Sequence, residues 1–334
     1  MRFGLPILQT RAAVTTSIMH QEDTLFTALT QTHARIKPYI HHTPVLTSHL
    51  LNELAGATLY FKCENFQRMG AFKMRGAVNA IMQLSAEQQR QGVVTHSSGN
   101  FAQALALAAQ SLGVTAYIVM PSNAPRVKKE AVLAYGGQVI ECEPTLSARE
   151  QTAQQLVAER GATFIHPSND LHVILGQGTA ALELLTEQPD LTYLFTPVGG
   201  GGLVAGTILA AQACGRNCRI VAGEPATMDD AYRSLQAGRI ESNAGGDTIA
   251  DGLKTQLGDI NFPLIQRGID AIILVSEDEI IAAMRLIWER LKIVVEASSA
   301  VALAALLKNK ASYAGQPVGV ILSGGNVDLG KLPF

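Results

Sequence analysis

The sequence predicts a two-lobed α/β fold in which each lobe is a mostly parallel sheet flanked by helices. Three observations predict it. Short strand-like runs alternate with helical periodicity along most of the chain, and glycines stand just past several helical stretches, where a C-terminal cap needs left-handed backbone. The 334 residues, 47% of them hydrophobic, are also enough to bury two cores.

Taken in order, Thr24–Lys37 reads as a helix and Thr58–Cys63 as a strand, both assigned to the larger lobe, and Gly76–Leu84 reads as a helix. Val93–His96, Ala116–Met120, Gln138–Glu141 and Thr163–His166 are short, apolar and bounded by glycine, proline or polar residues, as strands are. Helices Phe101–Leu112, Ala124–Tyr135 and Ser147–Glu159 separate them and are followed by Gly113, Gly136 and Gly161. A second series has strands at Tyr193–Pro197, Arg219–Gly223, Ala271–Val275 and Val318–Leu322. Its helices include Leu203–Ala211, Glu277–Glu289 and Ser298–Leu307. The expected division is therefore 20–90 with 167–334 as the large domain, 91–166 as a small mobile domain, and 1–19 as a flexible N-terminal extension. Without a low-complexity linker between them, the lobes should share a crevice, where ligands prefer to bind.

A formal net charge of -2 gives no reason to expect nucleic acid or an anionic membrane as partner, and the apolar runs are punctuated too often to span a bilayer. Cys63, Cys142, Cys214 and Cys218 lack paired metal spacing and read as reduced structural thiols, with Cys214 and Cys218 as possible helical neighbours. The first twenty residues hold Arg2 and Arg11 and no acid, which faintly resembles a transit peptide. A plain extension before Met19 is the simpler reading and favours a cytoplasmic location.

Two segments carry chemistry. Gly199–Gly202 lie between a strand and a helix, where free N–H groups and the helix dipole favour an anion and where missing Cβ atoms let the backbone close on phosphate oxygens. A tight turn without ligand and a dinucleotide site are the rival readings. The second is weakened because Gly199, Gly201 and Gly206 miss the Gly-x-Gly-x-x-Gly register, although Glu224 follows at roughly the right distance. The other segment is Gly70-Ala71-Phe72-Lys73-Met74-Arg75-Gly76. A lysine beside Phe72 and ahead of a helix is poorly placed as a solvated charge, and burial favours its neutral, nucleophilic form. An amine nucleophile together with a phosphate cradle is the outline of a pyridoxal phosphate site.

The motifs occur in a family order: the lysine segment, Thr95-His96-Ser97-Ser98-Gly99-Asn100, Gly176-Gln177-Gly178-Thr179, Pro197-Val198-Gly199-Gly200-Gly201-Gly202, Ile249-Ala250-Asp251-Gly252 and Ser323-Gly324-Gly325-Asn326-Val327-Asp328. From about Thr43 to Asp328 the chain resembles the fold-type II (tryptophan synthase β-like) pyridoxal phosphate enzymes, and within them the serine racemases and serine/threonine dehydratases. The resemblance implies that Lys73 forms the Schiff base and takes the α-proton, that Phe72 packs on the ring, and that Asn100 bonds its phenolic oxygen. It also implies that Gly199, Gly200, Gly201, Gly202 and Leu203 hold the phosphate. Ser323 would face the pyridine nitrogen, where a hydroxyl drains the carbanion into the ring less than a carboxylate does and so favours loss of a β-substituent. Ser97, Ser98, Asn100 and Phe101 would meet the substrate, with Arg149 at its carboxyl end. Ser98 stands where dehydratases that only eliminate commonly have alanine, so its hydroxyl would serve as a second base for racemisation or only bind the carboxylate. The alternative reading of Arg149 is a solvated helix residue.

Two positions depart from the family pattern: Phe101 where relatives usually have histidine, and Ser168 where they often have asparagine. Both put the side-chain preference in question and admit a β-hydroxy amino acid larger than serine, such as threonine, 3-hydroxyaspartate or an N-substituted relative. The segment from Glu224 to Asp230 matches a cation loop in serine racemase, implying Mg2+ or Ca2+ held structurally by Glu224, Asp230 and the Met228 carbonyl. The expected activity is a dehydratase (ammonia-lyase) acting on a β-hydroxy amino acid in a homodimer. The alternatives are a racemase with elimination as side reaction, a cofactor- or amino acid-binding protein without turnover, and a nucleotide-dependent oxidoreductase.

Overall fold

The computed structural model describes residues 22–334 apart from Arg216 and Ala244. The expected extension at 1–19 lies outside them. Two sheets organise the chain. The larger has the order β1 (Val45–Leu46), β2 (Thr58–Cys63), β10 (Pro317–Leu322), β7 (Tyr193–Pro197), β8 (Arg219–Pro225) and β9 (Ile269–Val275), parallel except for the β1–β2 pair. The smaller is all parallel, in the order β5 (Gln138–Cys142), β4 (Ala116–Pro121), β3 (Val93–His96) and β6 (Thr163–Phe164).

Strands covered on both faces should be apolar on both, and these are. In the larger sheet Leu194, Ile220 and Ile321 face one core with α1 (Glu22–Ile36), α8 (Leu171–Glu187), α9 (Gly202–Ala213) and α11 (Phe262–Gly268). Their chain neighbours Phe195, Val221 and Val320 face the opposite core, with α2 (His49–Ala55), α12 (Glu277–Leu291) and α13 (Ala297–Lys308). In the smaller sheet Val93 and Ile118 pack on α3 (Lys73–Met82), α5 (Asn100–Leu112) and α6 (Arg126–Ala134). Val94 and Val119 pack on α7 (Leu146–Arg160). The short helices α4 (Ala86–Gln91) and α10 (Asp230–Ala237) complete the set.

Five helix starts are capped by a side chain: Ser48 for α2, Ser85 for α4, Thr145 for α7, Asp170 for α8 and Ser276 for α12. The expected glycines do take left-handed backbone, with φ of 69° at Gly113, 77° at Gly136 and 67° at Gly161.

The boundaries that moved have local causes. The helix read from Ala124 starts at Arg126, because Pro125 serves as its N-cap and disfavours helical backbone at the residue before it. The helix read from Gly76 starts at Lys73 itself. Cys214 and Cys218 are not helical neighbours: α9 ends at Ala213 and Cys218 lies just before β8. Cys63, Cys142 and Cys218 are free thiols. Among the described residues no helix is long and apolar enough to cross a membrane.

Helix α3 is clamped on both sides. Met74, Val78 and Ile81 enter the core shared with α5. On the opposite side its backbone touches α8: a Cβ on Gly176 would meet the Arg75 carbonyl oxygen at 2.5 Å, and one on Gly76 the Val173 carbonyl oxygen at 2.8 Å. Further along α8, a Cβ on Gly178 would lie 2.6 Å from the Gly206 carbonyl oxygen of α9. The Gly176-Gln177-Gly178 motif therefore permits two helix contacts at backbone distance.

Candidate active site

Lys73 begins α3 directly after Phe72, whose N–H donates to the Ser323 carbonyl at 3.0 Å, while Ala71 bridges to Gly324. The lysine segment is thus pinned to the end of β10, which carries Ser323. The half-buried Lys73 amine donates to the Pro167 carbonyl at 2.8 Å and lies 4.9 Å from the Phe72 ring centre and 5.7 Å from that of Phe101. Burial among these groups pushes the amine from an ordinary 10.5 down to about 7, against the opposing pull of the Glu296 carboxylate. An amine so placed is neutral in a large fraction of molecules near neutral pH.

Gly199–Gly202 form the turn from β7 into α9. Gly201 has φ 80°, and α9 has no side-chain cap on its first-turn amides. A Cβ on Gly199 would meet Leu253 Cα at 2.7 Å. On Gly200 it would meet Ser168 Oγ at 2.5 Å, on Gly201 Asn261 Oδ1 at 2.8 Å, and on Gly202 Gln177 Oε1 at 2.5 Å. Only glycine fits here, and Leu203 follows within the first turn. The uncapped N-terminus supplies amide donors and a favourable dipole, so the turn fits a phosphate.

Asn100 starts α5. Its amide donates to both Glu296 oxygens at 3.0 and 3.1 Å and accepts from Asn326 Nδ2 at 2.9 Å, which also donates to the Met69 carbonyl. The start of α5 is thereby tied to the lysine segment. Burial pushes the Glu296 carboxyl up to about 7, partly offset by the Asn100 hydrogen bond. Ser97 and Ser98 lie half-buried on the turn before Asn100, and the Gly99 N–H donates to Ser97 Oγ. Ser323 is buried, its hydroxyl 3.1 Å from that of Ser299.

Lys73, Phe72, Asn100, Ser323 and the glycine turn are brought together through these contacts. Phe101 is shared, its side chain sitting in the small-sheet core with an edge of its environment at Lys73. Arg149 is placed differently. On the outer helix α7 it bonds back to the Thr145 carbonyl, and its charge helps lower the His96 pKa, behind burial.

Sequence reasoning missed Glu296, Asn326, Asn261 and Arg75. Asn261 Nδ2 donates to both the Gly200 and the Ser168 carbonyls, stitching the glycine turn to the segment after β6. Arg75, fully buried two residues past Lys73, holds Glu64 with Nε and Nη2 at 2.7 and 2.8 Å. It holds Glu183 with Nη1 and Nη2 at 2.7 and 2.8 Å. Lys62 Nζ lies 2.7 Å from Glu183. A lone charge in an apolar run, such as Lys62 in β2 or Glu183 in α8, was the available signal.

At the C-terminal end of β8, Glu224 accepts the Ala231 and Tyr232 amides, each at 2.8 Å. Burial raises its carboxyl to about 8 and that of the neighbouring Asp230 to about 6. Asp230 Oδ2 is buried without a protein partner, and Met228 is buried beside it in the chain. Two buried carboxylates and an orphaned oxygen suit a hard cation. Among the described residues no group of three or more acids, histidines or cysteines is poised around a metal.

Residues 36–324 match the family described as pyridoxal-phosphate dependent enzymes. The chain belongs to that family. It is 51% identical over 306 residues to serine racemase of Dictyostelium discoideum, covering 90% of this chain and 94% of the relative. It is 50% identical over 302 residues to beta-hydroxyaspartate dehydratase of Paracoccus denitrificans, covering 90% and 96%. The crystal structure of the Dictyostelium racemase superposes with a TM-score of 0.87 at 50% identity, over 91% of this chain and 99% of that one. The protein is therefore a fold-type II pyridoxal phosphate enzyme of the dehydratase and racemase group, as the motif order implies.

Proposed function

We propose that this enzyme dehydrates a β-hydroxy amino acid of the serine, threonine or 3-hydroxyaspartate type to a 2-oxo acid and ammonia, with α-racemisation on the same site. The observation that carries the reading is the Lys73 amine, lowered to about 7 beside two aromatic rings and bound to the Pro167 carbonyl, with the next residue, Ser168, packed on the glycine-built anion cradle. When bound, pyridoxal phosphate supplies the electron sink for the carbanion left at the substrate Cα. Lys73 takes the α-proton on one face. Asn100, held by Glu296 and Asn326, would supply the amide that bonds the ring's phenolic oxygen. A hydroxyl at Ser323 leaves the ring nitrogen less protonated than a carboxylate would, which favours expulsion of the β-hydroxyl.

The half-buried Ser98 hydroxyl favours racemisation as an accompanying activity, since it offers a second proton carrier on the turn that ends at Asn100. The purified enzyme, incubated with L-serine, L-threonine and L-threo-3-hydroxyaspartate, should give oxo acid from at least one of them. Ser98→Ala should lower D-enantiomer formation by about 100-fold while oxo acid formation falls much less. Absence of both products from all three substrates defeats the proposal, and equal loss of both in the variant removes the two-base reading.

A structural Mg2+ or Ca2+ held by Glu224, Asp230 and the Met228 carbonyl belongs to the same proposal, supported by the orphaned Asp230 oxygen. Chelation is expected to lower the Tm by roughly 2–5 °C, and Glu224→Gln to abolish the response. A chelator-insensitive Tm removes the ion. The segment 91–166, which carries the smaller sheet, is proposed to move against the remainder, in a cytoplasmic homodimer.

A further inference from the structure

Residues 166–169 run from β6 of the smaller sheet to α8 and touch both halves of the site. The Pro167 carbonyl accepts the Lys73 amine at 2.8 Å. Ser168 packs against Gly200 and Gly202, and its carbonyl accepts from Asn261. Asn169 Oδ1 accepts the Ile260 N–H at 2.8 Å, and its Nδ2 donates to Asp259 at 2.7 Å. Four residues without regular structure thus set the position of the amine and the back of the glycine turn.

What shapes this segment is the His166 side chain. Its Nδ1 accepts the N–H of Asn169 at 2.8 Å and of Ser168 at 3.2 Å. A ring nitrogen accepts only when it carries no proton, so the proton must sit on Nε2. The ring is steadied by edge contacts to His96 and Phe164, both at 6.2 Å between centres. The residue also lines a cavity of about 510 Å³ together with His96, Glu150, Ala153, Val157 and Phe164.

We propose that His166 is a positioning residue for Lys73: as the Nε2–H tautomer, it gathers two backbone amides and so fixes the Pro167 carbonyl that receives the lysine amine whenever that amine is not joined to the cofactor. A carbonyl accepts from both the ammonium and the neutral amine, so this contact holds in either charge state. The groups facing the ring keep it neutral. Burial disfavours the imidazolium first, His96 and Lys73 add repulsion, and Asp259 opposes them, leaving His166 at about 4. His166 therefore does not change charge over the range in which Lys73 does. Protonation would instead set an N–H against two other N–H groups.

The inference rests on the reading of Lys73 and is tested separately from it. The 15N spectrum of histidine-labelled holoenzyme, with the His166 signals assigned from a His166→Asn variant among the 8 histidines, should show unprotonated Nδ1 and protonated Nε2. That pattern should hold from pH about 8 to about 5. An Nδ1–H tautomer overturns the proposal, whatever the variants do. His166→Leu, which has no acceptor, should weaken pyridoxal phosphate binding about tenfold and displace the pH midpoint of the lysine-bound absorbance. It should also lower kcat more than it raises KM. His166→Asn, whose Oδ1 stands close to the place of Nδ1, should recover most of both. Equal losses in the two variants, with an unmoved pH midpoint, would also overturn the proposal. Should Lys73→Ala keep the lysine-bound absorbance, the Lys73 reading fails while the tautomer result stands.

Discussion

Lys73→Ala is expected to cut turnover by about 10⁴-fold or more, since one substitution removes both the covalent attachment point and the proton acceptor. Steady-state kinetics with the best substrate checks the loss, and the visible-edge absorbance of the lysine-bound cofactor should vanish with it. The fold should survive, because the side chain makes its hydrogen bond to a single carbonyl. Stability gives an independent check on the amine. Its folded pKa, about 7, lies below the unfolded value near 10.4, so between those limits the unfolded chain binds the extra proton. Stability of the cofactor-free parent should therefore rise from pH 7 toward 10 by this contribution. In Lys73→Ala that rise should be missing, and at neutral pH the cofactor-free variant should be more stable than its parent. Retention of the rise in the variant would show that the amine is not depressed.

Arg75→Met should lower the unfolding free energy by about 3–5 kcal/mol, the cost of leaving buried charges without their partner. The guanidinium serves two buried carboxylates at once, and neither can reach water when it is gone. With a whole-protein stability of roughly 5–15 kcal/mol, the denaturation midpoint should shift clearly at constant m-value. A loss below about 1 kcal/mol would contradict this account of the cluster. Acid sensitivity follows from Glu183. Burial alone would raise its carboxyl, but the hydrogen bonds from His33 and Arg75 and the charges of Arg75 and Lys62 hold it far below the ordinary range. A depressed folded pKa contributes stability that is present above the unfolded value near 4.3 and lost as pH falls below it. The parent should weaken steeply there and Arg75→Met less so.

How much of this was readable before folding depended on locality. The glycine turn and its flanking strand and helix are consecutive, so the anion cradle could be placed from 193–211 alone, and the lysine segment stood out through Phe72 and the helix beside it. The order of the larger sheet could not be read. Strand β2 lies beside β10, which is more than two hundred residues distant in the chain, because both are apolar on two faces and neither carries a mark naming its neighbour. The same reason hid Glu296, Asn326 and Asn261. Each is one polar residue in a loop or at a helix start, and its role arises only when distant backbone arrives beside it. Arg149 shows the converse: a motif position was legible, whereas the direction of its side chain depended on a hydrogen bond within its own helix.

Helix α8 holds α3 at Gly176 and α9 at Gly178, two positions half a turn apart on one rod. The separation between the reactive nitrogen and the cradle for the anionic tail is therefore a dimension of that rod, set by van der Waals radii of main-chain atoms. Whatever the outer sheet does when substrate enters or leaves, this gauge length has no hinge within it. The proposed movement of segment 91–166 would therefore leave the two anchor points of the coenzyme at a constant distance.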